Sequence, residues 1–265
     1  MSDFKAFQDL ERQGWSDPVR VSGYVELFAS ASDQTIGSLL EAVNAKPKLK
    51  ALDLCCGQGN VSEALASCGC EVTGVDFSPA MLAIANARVP NAVLIRADAQ
   101  ELPFDNEEFD IIVSNLGVCH VPDQPRALSE ARRVLGRGGR FAMTVWCGPD
   151  VSPCFEIVYD AIKAHGSPDV TAPPGPDFHQ FAKKEVAERL LREAGFAMSI
   201  YRLLIVCGIS IAQAVCPKSM RRVLLEQQWF LPASRHKALL RYDKPWPRRF
   251  KGVWRPGGLA RPLRP

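Results

Sequence analysis

Apolar and polar positions follow two rhythms along this chain. In GYVELFASASDQTIGSLLEAV (23–43), Val25, Phe28, Ile36, Leu39, Leu40 and Val43 recur mostly at three- and four-residue steps. That spacing predicts amphipathic helix within residues 1–45. Pro47 in KPKLK ends the pattern, because proline cannot continue a helix. From residue 50 the rhythm shortens. ALDLCC (51–56), EVTGVDF (71–77), AVLIRAD (92–98), FDIIVSNL (109–116) and RFAMTVW (140–146) read as strands. NVSEALASCG (60–69), SPAMLAIANARV (78–89) and PRALSEARRVL (125–135) read as helices, and GRGG (136–139) as a turn. Ser78 is a natural N-cap and Pro79 a natural first helical residue. Strands alternating with helices call for a parallel sheet with helices on both faces, and right-handed crossovers favour a doubly wound fold. Beyond Trp146, residues 153–166 and 182–195 read as helices around a proline-rich loop (166–178), and 196–209 as a sixth strand.

Composition places the chain among ordinary globular proteins, with 265 residues, 47% hydrophobic and 23% charged. No run of 18 or more apolar residues predicts a membrane span, and the N-terminal residues carry no apolar signal region. A cytoplasmic protein is expected. Nine cysteines in odd number, without zinc-finger spacing, argue against a disulfide framework or a structural metal and for thiols used as small buried hydrophobes. The net charge of +3 is unevenly spread. Residues 216–265 hold 13 Lys and Arg against 2 Asp and Glu, while the rest of the chain holds 19 against 27. The acidic body argues against a broad nucleic-acid surface, and the basic end leaves a local one open.

In a doubly wound sheet, ligands bind beyond the C-terminal strand ends. Four features fall there. Gly57 and Gly59 in LDLCCGQGN let the backbone turn and approach a ligand, with the next helix pointing its free N–H groups at the same place. A plain tight turn would need the same glycines. Asp76 closes VTGVD 19 residues after Gly57, the usual distance for an acid on a ribose hydroxyl pair, although it could equally cap the next helix. Asp98 and Ala99 close the third strand, where a carboxylate could accept from an exocyclic amine. Asn115 and Leu116 close the fourth. The loop departs from the dinucleotide fingerprint, with Ser62 at its third glycine position and Asp53 inside the first strand. A carboxylate there repels a pyrophosphate and attracts a cation.

LDLCCGQGN, VTGVDFSPAML, RADAQELPFDNEEFDIIVSN and ARRVLGRGGRFAMTVW together resemble the successive motifs of class I S-adenosylmethionine-dependent methyltransferases, over about residues 50–147. The ubiquinone-methylase-like, small-molecule branch is the most similar group. The resemblance implies a Rossmann-like fold of about seven mostly parallel strands with a partly helical substrate cover. The last two strands would form an antiparallel hairpin, for which GVWRPGGLARPLRP is a poor match. It divides a single domain into a helical cap (1–49), a cofactor-binding core (50–147) and a substrate cover with C-terminal strands (148–265). It also implies that Asp53, Gly57 and Gly59 hold the methionine part of S-adenosylmethionine. Asp76 would bind the ribose, Phe77, Met81, Asp98 and Ala99 would surround the adenine, and Asn115 and Leu116 would lie near the methyl group. Tyr24 would close over the cofactor. S-adenosylhomocysteine would be the product.

Methyl transfer from a sulfonium is an in-line displacement in which positioning supplies much of the rate. A base is needed only if the acceptor loses a proton. His120 in GVCHVPD is the best-placed candidate, the alternative being a histidine that packs the loop against Pro122. Cys119 has no sequence sign of a reactive thiol. Pro153-Cys154 lies after the fifth strand, the wrong place for a base-methylating cysteine, and Asn115 is not followed by an amino-methylase motif. A small organic acceptor is the favoured reading. An RNA or protein methyltransferase using the basic end, and a non-catalytic binder of the cofactor, remain open; a dehydrogenase is the weakest reading.

Overall fold

The structure is a computed structural model that describes residues 4–166 and 172–197. Three helices open the chain: α1 (Lys5–Ser16), α2 (Pro18–Asp33) and α3 (Ile36–Val43). β1 (Lys50–Leu54), α4 (Asn60–Ser67), β2 (Glu71–Asp76), α5 (Pro79–Arg88), β3 (Val93–Arg96) and β4 (Phe109–Asn115) follow. A 3-10 turn (Val118–His120), α6 (Gln124–Val134), β5 (Leu135–Thr144), α7 (Pro153–His165), a second 3-10 turn (Gln180–Ala182) and α8 (Lys184–Glu193) complete the described chain. The strands form one parallel sheet in the order β3-β2-β1-β4-β5. The order reverses direction between β1 and β4, so a crevice opens beyond their C-terminal ends.

Alternation along β1 and β4 explains the two-sided core. Ala51 of β1 and Ile111 and Val113 of β4 pack with Leu39 and Val43 of α3 and with Val61 and Leu65 of α4. Leu52, Leu54 and Ile112 face the other way, against Ala127, Ala131 and Val134 of α6. The same parity fixes two polar residues. Asp53 shares a face with Ala51 and meets α4, and Asn115 shares one with Val113 and meets the turn between α2 and α3.

α1 and α2 pack beside α5. Trp15, Val21 and Met81 form a small buried cluster with Tyr24 and Phe77 at its edge. Asp17 caps α2 by accepting from the Val19 N–H at 2.9 Å. Ser78 caps α5 by accepting from the Met81 N–H, while its own hydroxyl donates to the Trp15 carbonyl. One side chain thus starts α5 and anchors the end of α1.

Several expectations from sequence change. The first strand stops at Leu54, and Cys55 takes a left-handed φ of 59°, so Cys55 and Cys56 belong to the turn. GRGG (136–139) is not a turn, because β5 begins at Leu135 and runs through it. A register shift between Phe109 and Ile111 accommodates the extra backbone along β4. Glycines mark turns in isolation, but here they let an irregular strand lie close to its neighbour, where a Cβ on Gly139 would meet the Asp110 carbonyl at 2.7 Å. The described residues hold five strands where about seven are expected. The sixth, at 196–209, falls almost wholly outside the described residues, as does the seventh. Among the described residues no helix is long and apolar enough to cross a membrane.

Candidate functional site

A cleft of about 960 Å³, its open mouth included, lies over the C-terminal ends of β1, β2 and β4. Of the residues singled out from sequence, Tyr24, Asp53, Gly57, Asp76, Phe77, Met81, Asp98, Ala99, Asn115, Leu116 and His120 line it. Gly59 stands behind it as the N-cap of α4, with φ 80°, and a Cβ there would press on Ala85 of α5 at 2.9 Å. That glycine lets the loop pack closely against α5.

Asp53 is 1% exposed. Its Oδ2 accepts from the Ser62 hydroxyl at 2.6 Å, whereas Oδ1 is buried with no hydrogen-bond partner among the described residues. Burial pushes its carboxyl up to about 7, only partly offset by the bonds from Ser62. Such an oxygen, lining a cleft, is an acceptor suited to a cationic donor. Asp76 has a different task. Its Oδ2 accepts from the Gly57 N–H at 2.9 Å and its Oδ1 from the Ser78 N–H at 2.8 Å, so it clamps the glycine loop to the start of α5. Burial raises its carboxyl in spite of those bonds.

Asp98 is engaged from two sides. Oδ1 accepts from the backbone and side chain of Gln100, each at 2.9 Å, and Oδ2 accepts from Arg12 of α1 at 2.9 Å. The Arg12 pair is half-exposed, so it guides the docking of α1 more than it stabilises it. Asn115 accepts from the Thr35 hydroxyl at 2.8 Å and from the Thr144 hydroxyl, and donates to the Ser32 carbonyl at 3.1 Å. Its side chain ties α2, α3 and β5 to the end of β4. Asn115→Ala is expected to cost about 1–3 kcal/mol in urea denaturation, because the Thr144 hydroxyl loses its acceptor and the Ser32 carbonyl loses a donor, while Thr35 keeps the Ser32 carbonyl; a change within about 0.5 kcal/mol would show that the network is not structural.

Two non-glycine residues, Cys55 (φ 59°) and Leu116 (φ 58°), occupy left-handed conformations at the adjoining ends of β1 and β4. Backbone strain of this kind collects where a site must hold a fixed shape. Burial pushes the Cys55 and Cys56 thiols well up, so they are neutral packing groups and not nucleophiles. Tyr24 stacks on Phe28 at 5.5 Å and meets Trp15 edge-on at 4.9 Å, and burial raises its hydroxyl. His120 sits on the 3-10 turn after β4 with its Nδ1 2.9 Å from Glu11 Oε2.

Gln8, Glu11, Arg12 and Trp15 of α1, absent from the sequence reading, also line the cleft. Their spacing of three, four and seven puts them on one helix face, and that periodicity was the available signal. Their polarity makes the face look solvated.

The cleft therefore carries the carboxylates of Glu11, Asp53, Asp76 and Asp98. Arg12 pairs with Asp98 and His120 faces Glu11, so the orphan oxygen of Asp53 is the acceptor that suits an ammonium and disfavours a pyrophosphate. A parallel α/β sheet with a glycine-turned cleft at its switch point is a Rossmann-like architecture, and the orphan carboxylate in that cleft fits the class I methyltransferases.

The comparisons agree. Residues 52–143 match the family model described as a methyltransferase domain. A demethylmenaquinone methyltransferase of Staphylococcus aureus (strain MRSA252) is 38% identical over 128 residues, which are 46% of this chain and 52% of that protein. Its counterpart in strain JH9 is 33% identical over 175 residues, covering 60% and 72%. The chain thus spans between about half and three quarters of the length of these relatives. Among solved structures, a putative methyltransferase from Bacillus halodurans superposes with a TM-score of 0.52 at 22% identity, over 76% of this chain and 86% of that one. A methyltransferase structure from Thermotoga maritima gives 0.50 at 24%, over 67% and 78%. These two likenesses concern the fold. The chain belongs to the S-adenosylmethionine-dependent methyltransferases of the ubiquinone- and menaquinone-methylase type.

Proposed function

We propose that this protein transfers the methyl group of S-adenosylmethionine to a small organic acceptor. The observation that carries the reading is the buried, unpartnered Oδ1 of Asp53 in the cleft. It meets the need of an ammonium group, and the glycine loop clamped by Asp76 leaves backbone free to approach the same ligand. In this reading an adenine amine would take the place of a present donor on Asp98, such as Gln8 or Arg12, with Phe77 and Met81 as apolar walls. When bound, the cofactor supplies an electrophilic methyl carbon. The protein's residues hold it, exclude water through α1 and α2, and present the acceptor in line.

The acceptor class follows from the relatives and the lining together. The relatives named above methylate a demethylmenaquinone by their printed names, and Trp15, Tyr24 and Phe77 give this cleft flat aromatic surfaces. We therefore infer a planar aromatic acceptor of the quinol type. Calorimetry with S-adenosylhomocysteine is expected to give one site per chain. Mass spectrometry after incubation with S-adenosylmethionine and reduced demethylmenaquinone is expected to show a gain of one methyl. Binding without transfer to this or any other quinol would leave a cofactor-binding protein and reject the acceptor class; no binding would reject the whole reading.

A further inference from the structure

Glu11 is a carboxylate on a helix face that is otherwise apolar where it is buried, beside Phe7, Gly14 and Trp15. It is 3% exposed, a costly position for a charge unless it is fully partnered. Its Oε2 receives the Trp15 indole N–H at 2.9 Å and lies 2.9 Å from Nδ1 of His120, 109 residues further on. A carboxylate only accepts, so Nδ1 carries the hydrogen and Nε2 becomes the basic nitrogen. Trp15 and Phe178 flank the imidazole edge-on at 5.2 Å each, which fixes its plane. Both Glu11 and His120 line the cleft that holds Asp53 and Asp76.

We propose that Glu11 is a positioning residue that fixes the tautomer of His120, so that Nε2 receives the proton of a hydroxyl-bearing acceptor during methyl transfer. The inference rests on the methyl-transfer reading above. In that step the acceptor's electron pair forms the new bond to the methyl carbon and the S–C pair stays with sulfur. The acceptor's hydroxyl proton passes to Nε2, and the resulting imidazolium is held by the Glu11 carboxylate. Such a pair has one half on the sheet and the other on α1, so the proton acceptor is complete only when α1 is docked.

Among the described residues, the charged and titratable groups facing His120 are Glu11 from α1, Asp76 from the end of β2 and Cys119 on its own turn, whose side chain also hydrogen-bonds the ring. Trp15 and Phe178 contribute rings without charge. Burial opposes a charged imidazole, and Cys119 and Glu11 outweigh it, so the imidazolium persists well above its ordinary range. Methyl transfer should therefore rise with pH through this elevated midpoint, and removing the Glu11 charge should move the midpoint down.

The test is an NMR titration of the imidazole ring protons in the full chain, with the His120 signal assigned by its loss in His120→Asn. Glu11→Gln is expected to lower the His120 midpoint by at least one pH unit, roughly a tenfold loss of proton affinity. The acid limb of methyl transfer to reduced demethylmenaquinone should shift by the same amount. Glu11→Asp, which keeps a carboxylate on a shorter stem, is expected to fall between the two and serves as the reading if Glu11→Gln does not fold. An unchanged midpoint with lowered thermal stability would assign Glu11 a packing role and overturn the proposal. Failure of the wild-type protein to bind S-adenosylhomocysteine would instead overturn the methyl-transfer reading, and the titration would still decide the pair.

Discussion

Asp53→Asn is expected to weaken S-adenosylhomocysteine binding roughly 10- to 100-fold, while making the ligand-free protein more stable above neutral pH. The two effects share a cause. The side chain is buried with one oxygen on Ser62 and the other without a partner. A ligand ammonium turns that orphan oxygen into a charge-assisted bond, which an amide cannot reproduce. Without ligand, the charge is a liability. Its folded carboxyl is raised from 3.8 to about 7, so the folded state holds a proton that the unfolded chain releases. The contribution of this group to stability is intact below about pH 3.8, declines as pH rises through about 7, and is flat above that. The amide does not titrate and can still accept from Ser62. The variant should therefore match the wild type near pH 4 and exceed it by about 1–4 kcal/mol at pH 8. Thermal melts at both pH values, with calorimetry at pH 8, check the two arms. Unchanged affinity would remove Asp53 from the ligand site, and a variant less stable at pH 8 would show that the carboxylate is satisfied in some other way.

Gly117→Ala is expected to destabilise the protein by about 1–3 kcal/mol, and Cys55→Gly is expected to restore most of that loss. Gly117 has an ordinary φ of −97°, so its constraint is purely spatial. A Cβ there would overlap the Cβ of Cys55 and approach the Ser114 hydroxyl at 3.3 Å. Cys55 cannot move aside, since its left-handed backbone is set by the turn that leaves β1. Glycine at position 55 removes the opposing atom and the conformational cost of a side chain in that region, about 1 kcal/mol. Urea denaturation of the two single variants and the double variant gives the coupling energy directly. Strict additivity would mean that the two strand ends are not pressed together.

The alternation of strands and helices between residues 50 and 146 was legible because each strand is a short apolar run ended by a glycine, an acid or a cap. Ser78 and Pro79 announced α5, and the structure places that cap where the sequence puts it. Asp53 could be seen as anomalous within an apolar strand, and strand parity then aims it at α4. Other features left no local signal. GRGG reads as a turn until the neighbouring strand shows why it must be slim. Nothing in CC indicates that the first cysteine is left-handed. Glu11 looks like one more charge on a solvated helix, since its partner His120 is fixed only by the fold.

The cleft has two walls of different origin. The floor, from Asp53 to Leu116, is tied to its neighbours by Ser62 on Asp53, by Asp76 on Gly57 and Ser78, and by Asn115 on Ser32, Thr35 and Thr144. Much of the opposite wall is helix α1, attached through Arg12 to Asp98, through the Trp15 carbonyl to Ser78 and through Glu11 to His120, with Tyr24 of α2 beside it. Substitutions in the floor disturb donor binding and folding together. Substitutions along the Gln8, Glu11, Arg12 and Trp15 face are expected to change what the cleft admits while sparing the sheet. Under the proposed reaction, divergence confined to this one helix is expected to alter the acceptor before the methyl donor.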